Sequence, residues 1–157
     1  MNAFHFLCTT NNKTAPLIAR LMLGFVMFPH GVQKMLGWFG GHGFTGTMNF
    51  FTETMHIPAV FAFLAILAEF AGSLGLIAGL FSRVAAFGIA TVMVVAVATS
   101  TAANGFFMNW YGNQKGEGFE YHLLAIGLAL IVLIHGGGKA SLDSMVLRKS
   151  TASKAQP

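Results

Sequence analysis

A run of 24 residues that is apolar apart from one carboxylate most constrains how this chain can fold. Between Pro58 and Phe81 the only ionisable side chain is that of Glu69, near the middle of the run. About 20 apolar residues are enough for a helix to cross the hydrocarbon core of a bilayer. A carboxylate at that depth costs about 2.5–3.5 kcal/mol on insertion scales, so it needs a partner or a wet cavity. The run therefore predicts a membrane helix with a polar feature inside the protein.

The composition of the chain also indicates a membrane protein. Of its 157 residues, 55% are hydrophobic and 9% are charged, against about 25% charged in soluble domains. A water-soluble chain of this length could not bury so much apolar surface. The formal charge of +4 is scattered or terminal, with no basic stripe among aromatics, which excludes nucleic acid as a partner. The composition therefore predicts one compact domain whose partner is the lipid bilayer.

Four segments have the length and composition of membrane helices, and together they predict an all-α, integral membrane four-helix bundle. They are residues 15–36, 58–81, 83–104 and 119–134. The glycine-rich segment 37–57 between the first two is too polar to span, but its Phe and Met side chains recur at helical spacing. We expect part of it to lie flat at the outer interface. The membrane domain is predicted over 15–138, flanked by an N-terminal segment 1–14 and a loosely ordered C-terminal tail 139–157.

The distribution of basic residues predicts the orientation. Four spans place both termini and the short second hairpin on one side, which collects Lys13, Arg83, Lys139, Arg148, Lys149 and Lys154. The opposite loops hold only Lys34 and Lys115. By the positive-inside rule both termini are cytoplasmic. Residues 1–14 lack the pattern of a cleavable signal, so the first span is expected to direct insertion itself.

In each of the first two predicted spans the charged residues share one stripe of the helix with small and apolar residues. In the first span the stripe is Arg20, Gly24, Met27, Gly31 and Lys34, with His30 at its edge; in the second it is Ala65, Glu69, Gly72, Leu76, Gly79 and Arg83. Facing stripes would make Glu69 the candidate partner of Arg20, because a pair leaves neither charge alone in hydrocarbon. Two interpretations stay open: a structural pair that sets helix register, or a cavity around Glu69 for a ligand or proton.

A second group of polar candidates lies toward the outer end. Pro29 frees backbone carbonyls near His30, so His30, Lys34 and Trp38 could form a pocket; the alternative is a kink in which His30 bonds a carbonyl. Glu120 could neutralise Lys34 or complement a helix N-terminus. His122 is a further candidate in this group.

Histidine and cysteine spacing argues against a bound metal. No H-x-x-x-H pair is present, so no metal site is predicted. A haem held by His30 and His122 from different helices is geometrically conceivable but disfavoured. Cys8 is the only cysteine, which excludes an intrachain disulfide and any cysteine-built metal site.

Several short motifs together resemble the DoxX family. They are R-x-x-x-G-x-x-x-x-x-H-G-x-x-K from Arg20 to Lys34, G-W-F-G-G at 37–41, A-E-F-x-G around Glu69, G-L-F-S-R at 79–83, N-G-F-F at 104–107 and S-L-D at 141–143. The resemblance covers roughly residues 15–145. It implies a small bacterial four-helix protein of the cytoplasmic (inner) membrane with both ends inside. The family is named after a subunit associated with thiosulfate:quinone oxidoreductase, which implies a redox or sulfur context.

The sequence is compatible with three functions, of which only the first would make the protein part of an enzyme. In the first, it is a membrane subunit of a quinone-linked oxidoreductase, with Arg20, Glu69, His30 and Lys34 forming a quinone pocket or proton path. The quinone would be bound noncovalently and electrons would come from a partner subunit, because no flavin or nucleotide motif is present. The second is a non-enzymatic scaffold that recruits a partner protein, and the third a small proton or solute transporter. The glycine-rich second span is also compatible with a homodimer.

Overall fold

The computed structural model describes residues 8–147, and within that range the secondary structure is entirely helical. The helices are α1 (Thr14–Leu36), α2 (Gly43–Asn49), α3 (Ala59–Ala78), α4 (Ser82–Ala96) and α5 (Glu120–His135). Helix α2 continues into a π-helical turn, Phe50–Thr54, and α4 into another, Val97–Thr101, followed by a 3₁₀ turn, Ala102–Asn104. The prediction of an all-α fold is confirmed.

Three of these helices are long and apolar enough to cross a membrane: Thr14–Leu36, Ala59–Ala78 and Ser82–Asn104. They correspond to the first three predicted spans. Helix α5 is equally apolar but has only 16 residues, which at 1.5 Å per residue gives about 24 Å. The fourth span therefore stays a prediction.

The four long helices form a bundle in which α1 contacts α3 and α5, and α4 contacts α3 and α5. The core contains Leu23, Met27, Leu76, Ile89 and Val132, all at most 1% exposed. Large apolar side chains such as Phe61, Phe87 and Leu124 instead lie on the outside, each more than 60% exposed. An apolar surface of this extent is typical of a protein whose solvent is lipid.

Helices α1 and α3 run antiparallel in direct backbone contact. A Cβ atom added to Gly31 would lie 2.6 Å from the carbonyl oxygen of Glu69 and 2.6 Å from the Cα of Phe70. Only glycine permits this approach, as in other close membrane helix pairs. One side of the bundle, the hairpin end, therefore holds the start of α1, the turn between α3 and α4, and the end of α5. The opposite side, the loop end, holds the end of α1 and the start of α3.

The second stripe divides between two neighbouring helices: Glu69, Leu76 and Gly79 lie against residues of α1, whereas Gly72 lies against α4. A Cβ on Gly72 would meet Ala85 and Ile89, and one on Gly75 would meet Leu80 and Ala85. The second stripe therefore faces α1 only in part, because Gly72 and the neighbouring Gly75 pack within the tight α3–α4 hairpin of one chain. The glycine spacing therefore no longer argues for a second copy of the chain.

The chain after α5 folds back onto the hairpin end. Residues 142–147 are helical, and Ser141 and Asp143 are at most 1% exposed. A loosely ordered tail beginning at Lys139 is therefore wrong for residues 139–147. The remaining tail residues, 148–157, lie outside the described residues.

Candidate functional site

Glu69 is paired with Lys34. The Lys34 Nζ and a carboxylate oxygen of Glu69 form an ion pair between α1 and α3, with the Glu69 side chain 4% exposed and that of Lys34 27% exposed. The predicted partner of Glu69, Arg20, lies elsewhere. The interior charge is thus compensated as expected, but by a different cation.

The direction of helical side chains explains this choice of partner. Each Cα–Cβ bond tilts toward the N-terminus of its helix. Helix α1 starts at the hairpin end, so Arg20 leans toward that end and away from Glu69. Lys34, one turn beyond the Gly31 contact, leans back toward Glu69. Since α3 runs the opposite way, Glu69 leans toward Lys34.

Arg20 ties three segments together at the hairpin end. Its guanidinium donates to the carbonyls of Leu76 and Ile77 at 2.7 Å each, and to that of Gly137 at 2.7 Å. It also donates to the carbonyls of Lys139 and Ala140, at 3.3 and 2.9 Å. The last carbonyls of a helix have no hydrogen-bond partner within the helix. The Arg20 side chain, 2% exposed, donates hydrogen bonds to such carbonyls at the end of α3 and to carbonyls of the chain after α5.

Asp143 supplies the complementary contact at the start of α4. Its carboxylate accepts hydrogen bonds from the backbone N–H groups of Phe81 at 2.8 Å and Ser82 at 3.0 Å. A carboxylate at a helix N-terminus satisfies orphan donors and is favoured by the helix dipole. Arg20 and Asp143, with the backbone groups they bind, form what we call the hairpin clasp.

Cys8 is packed against the hairpin clasp. Cys8 is 2% exposed, and its thiol lies close enough to Asp143 for the carboxylate to act on it. Burial, and to a smaller extent the negative charge of Asp143, raise the pKa of the Cys8 thiol. A thiol in this state is a weak nucleophile near neutral pH.

The ion pair lies at the inner end of a large open groove. The groove, about 1420 Å³, runs along α3 and α4 and reaches inward to Lys34, Glu69, His30, Tyr121 and His122. Its rim includes Phe61, Leu67, Phe87 and Val95, which belong to the exposed apolar surface. The groove therefore connects an internal charged pair with the outer face of the bundle.

Three rings follow one another on the inner wall of the groove. The ring centroids of His30 and Tyr121 are 6.2 Å apart, and those of Tyr121 and His122 are 5.5 Å apart in an edge-to-face arrangement. The Tyr121 hydroxyl donates to the Met27 sulfur at 3.3 Å. His30 is also close enough to Lys34 and Glu69 to interact electrostatically with both. The wall thus combines one ion pair with hydrogen-bonding rings.

The structure gathers some of the predicted site residues and separates others. His30, Lys34, Glu69 and His122 share the groove. Arg20 belongs to the hairpin clasp, because its side chain leans the other way, and it cannot contribute to a pocket around Glu69. Trp38 is 59% exposed and is not part of the groove wall described above.

Glu120 does not neutralise Lys34. One carboxylate oxygen accepts hydrogen bonds from the Met108 N–H at 3.1 Å and from the Trp110 indole N–H at 2.8 Å. The interpretation in which Glu120 neutralises Lys34 is therefore wrong, since Lys34 is paired with Glu69. Glu120 occupies the first turn of α5, as the alternative interpretation expected, and orders the preceding loop.

Tyr121 and Asp143 are the residues that sequence reasoning missed. Tyr121 stands between two residues considered as candidates, and an aromatic hydroxyl beside a histidine in an apolar helix was a usable signal. Asp143 was noticed only as part of a motif. Its hydrogen-bond partners lie 61 and 62 positions away, so no local pattern could reveal its role.

No group of three His, Cys, Asp or Glu side chains within residues 8–147 is arranged to hold a metal ion. The two histidines considered for a haem, His30 and His122, both line the groove, and the Tyr121 ring packs against each of them. The polar groups of the groove are therefore hydrogen-bonding side chains, one ion pair and the exposed carboxylate of Glu117.

A helical bundle with an apolar exterior and a compensated charge inside is a multi-pass integral membrane protein. The family model described as DoxX matches residues 15–102, more than half of the chain, and the protein belongs to the DoxX family. The match includes Arg20, Lys34 and Glu69, whereas α5 with Tyr121 and His122 lies beyond it. No curated protein and no solved structure matches the chain significantly.

Proposed function

We propose that this protein is a membrane subunit or accessory of a quinone-linked redox system, and that the groove binds a lipid-soluble quinone noncovalently. The observation that supports this is the groove itself, whose apolar rim opens on the outer surface and whose inner end carries the Lys34–Glu69 pair. Small-molecule sites are mostly apolar with a few convergent polar groups. A quinone, with an apolar tail and two ring oxygens, matches that distribution.

The residues of the groove would bind the ring and supply protons. The Lys34 ammonium has three donors, of which Glu69 engages one, so another can reach a ligand oxygen. His30 is suited to proton exchange near neutral pH. A bound quinone supplies two-electron chemistry coupled to proton uptake, while electrons would come from a partner subunit. Arg20, which the sequence analysis placed in this pocket, has no part in it.

The proposed setting is the cytoplasmic (inner) membrane of a bacterium. In this arrangement α5 is the fourth span, both termini are cytoplasmic and α2 lies in the outer interface. This setting is supported by the basic residues at the hairpin end and by the exposed side chains of Phe39, Phe44 and Phe50 near α2. A reporter that works only in the cytoplasm should be active when it is fused after residue 157. A reporter that works only outside the cytoplasm should be active when it is inserted after Gly112. The opposite result at either site would reject this topology.

Ligand extraction and binding test the function directly. Protein purified in native lipid should carry a quinone that mass spectrometry detects, and protein in nanodiscs should bind a decyl-tailed benzoquinone saturably. Glu69→Gln should weaken that binding about tenfold, because Lys34 loses the group that orients it. Glu53→Gln is the matched control, since Glu53 is exposed and outside the groove. Absence of both a bound quinone and saturable binding would reject the proposal.

A non-enzymatic scaffold is the second candidate. It is supported by the hairpin clasp, in which every hydrogen bond of Arg20 goes to backbone carbonyls and serves architecture. A scaffold would keep its cellular function in a folded Glu69→Gln variant, whereas a quinone subunit would lose it. A transporter is less well supported, because α1 and α3 are continuous helices and alternating access usually relies on broken ones.

A further inference from the structure

Two buried polar atoms on the wall of the groove have no hydrogen-bond partner among the residues that the structure describes. They are the Thr101 hydroxyl and the Nδ1 of His122. Thr101 is 9% exposed, and both residues line the groove. Leaving a buried polar group unsatisfied costs about 1–3 kcal/mol. Two such groups from different helices in one cavity indicate a site that a ligand completes.

The local structure shows why Thr101 is left without a partner. In α4, Thr91 and Thr99 donate to the carbonyls four residues earlier, Phe87 and Val95, at 2.9 and 2.8 Å. Thr101 ends a π-helical turn, in which the N–H of Ala102 donates to the carbonyl of Val97. The carbonyl of Val97 lies four residues before Thr101 and would be its acceptor in an α-helix, but the i→i+5 pairing of the π-helical turn changes the position of that carbonyl relative to the hydroxyl. Single π-helical turns occur frequently at functional sites.

The charges around the groove argue against an anionic head group. Lys34 and Glu69 compensate each other, and Thr101, Tyr121 and His122 present hydroxyl and imidazole groups. Glu117 is the other charged residue of the lining, and it is exposed and negative. An anionic head group would therefore have to leave water for this apolar groove without an opposite free charge. A carbonyl or hydroxyl oxygen needs only hydrogen bonds.

We propose that Thr101 and His122 form a hydrogen-bonding subsite for an uncharged carbonyl or hydroxyl oxygen on an apolar ligand. This subsite deepens the proposed function and rests on it for the identity of the ligand: a quinone has two ring oxygens, one for the Lys34 side and one for this subsite. The subsite lies at the C-terminal end of α4 and the first turn of α5, away from the hairpin clasp.

The first test measures the protein without added ligand. Thr101→Val replaces a hydroxyl by a methyl of the same shape, so it removes an unsatisfied group and should raise the melting temperature by a few degrees. Thr52→Val, outside the groove, should not raise it, because its hydroxyl donates to the Met48 carbonyl at 3.0 Å. A lower melting temperature for Thr101→Val would overturn the proposal, since the hydroxyl would then already have a partner.

The second test measures ligand binding in nanodiscs. The probes are a decyl-tailed benzoquinone, decanol and decanoate, which share a tail and differ in the head. The two neutral probes should bind, and Thr101→Val and His122→Phe should each weaken them about fivefold, the loss of one hydrogen bond. Thr52→Val and His42→Phe should leave binding unchanged. Decanoate should bind at least tenfold more weakly than decanol.

The outcomes separate the subsite from the proposed function. Benzoquinone binding that is insensitive to both groove variants would overturn the subsite and leave the function standing. Decanol binding that both variants weaken, without any benzoquinone binding, would support the subsite and reject the quinone. Failure of both neutral probes to bind, or decanoate binding as tightly as decanol, would overturn the subsite.

Discussion

Lys34 and Glu69 pair across α1 and α3 one helical turn from the point where Gly31 touches the Glu69 backbone. The close approach and the ion pair therefore belong to the same contact. Glu69 is 4% exposed, and a buried carboxylate without a neighbouring cation is costly in hydrocarbon. Lys34 is long enough to reach water when released. The two residues are thus unequal partners.

Removing the lysine should cost more than removing the carboxylate. Lys34→Met should lower the free energy of unfolding by about 3 kcal/mol, because it leaves a buried carboxylate uncompensated. Glu69→Gln should cost less, since Lys34 can turn outward. Unfolding in detergent micelles followed by circular dichroism measures both, with exposed Lys115→Met as the control. The double variant should cost less than the sum of the two; strict additivity would contradict the pairing.

Glycine at position 31 should be irreplaceable. Gly31→Ala would place a methyl group 2.6 Å from the Glu69 oxygen, forcing α1 and α3 apart at a cost of about 2 kcal/mol. Gly127 in α5 is the matched control, since nothing lies within 4 Å of an added Cβ there. Gly127→Ala should instead stabilise by up to about 1 kcal/mol through helix propensity. Equal effects of the two variants on melting temperature would contradict the packing.

Arg20 should not tolerate replacement by lysine. A single ammonium cannot reproduce the forked contacts with five carbonyls, so Arg20→Lys should cost about 3 kcal/mol or more. Arg83→Lys offers a comparison, because Arg83 lies at the same end of the bundle and its guanidinium donates to the Ile134 carbonyl at 3.1 Å in an exposed contact. That change should cost under about 1 kcal/mol. Denaturant unfolding in micelles distinguishes the two values.

Residues 139–147 should stabilise the α3–α4 hairpin. A chain ending at residue 138 should unfold more readily than one ending at 147, because it loses Asp143 and the carbonyls that bind Arg20. Asp143→Asn alone should cost about 1–2 kcal/mol as a weakened helix cap. Limited proteolysis near Phe81 should become faster in both variants. Unchanged proteolysis would show that the hairpin clasp does not hold this turn.

Cys8 should react slowly with alkylating reagents. Burial and Asp143 raise the pKa of its thiol, so the pH at which alkylation reaches half its maximal rate should exceed the value of about 8.5 for a free thiol. Because the folded-state pKa is raised, the stabilising contribution is complete below about pH 8.5 and is lost as the pH rises further. Rates measured from pH 7 to 10, with urea-unfolded protein as the reference, test this. Equal midpoints would contradict burial beside a carboxylate.

Much of the fold could be predicted from the sequence because lipid imposes strong rules on composition and length. The apolar runs located α1, α3 and α4 to within a few residues, and the helical spacing of Arg20, Gly24, Gly31 and Lys34 correctly grouped one face of α1. The need for a cation near Glu69 also followed from the cost of an isolated charge in hydrocarbon. Each of these inferences depends on local pattern and solvent.

The choice among partners could not be predicted in the same way. Arg20 and Lys34 lie on the same stripe, so the sequence allows either to pair with Glu69. Glu69 pairs with Lys34 because α1 and α3 pack antiparallel and the side chains of each helix lean toward its N-terminus. Likewise, Asp143 binds the N–H groups at the start of α4 only because the chain after α5 folds back across the hairpin. These contacts join positions 35 to more than 100 residues apart.

What the sequence determined by itself is a helical membrane protein of the DoxX family with a charge inside it that must be compensated. Hydrophobicity and helical period are properties of single segments, so they can be read before the chain is folded. The tertiary structure alone decided that Lys34 compensates Glu69, that Arg20 and Asp143 serve the hairpin clasp, and that Thr101 and His122 line the groove. Hydrogen bonds act over about 3 Å, so their pairing depends on helix register and packing that no single segment contains.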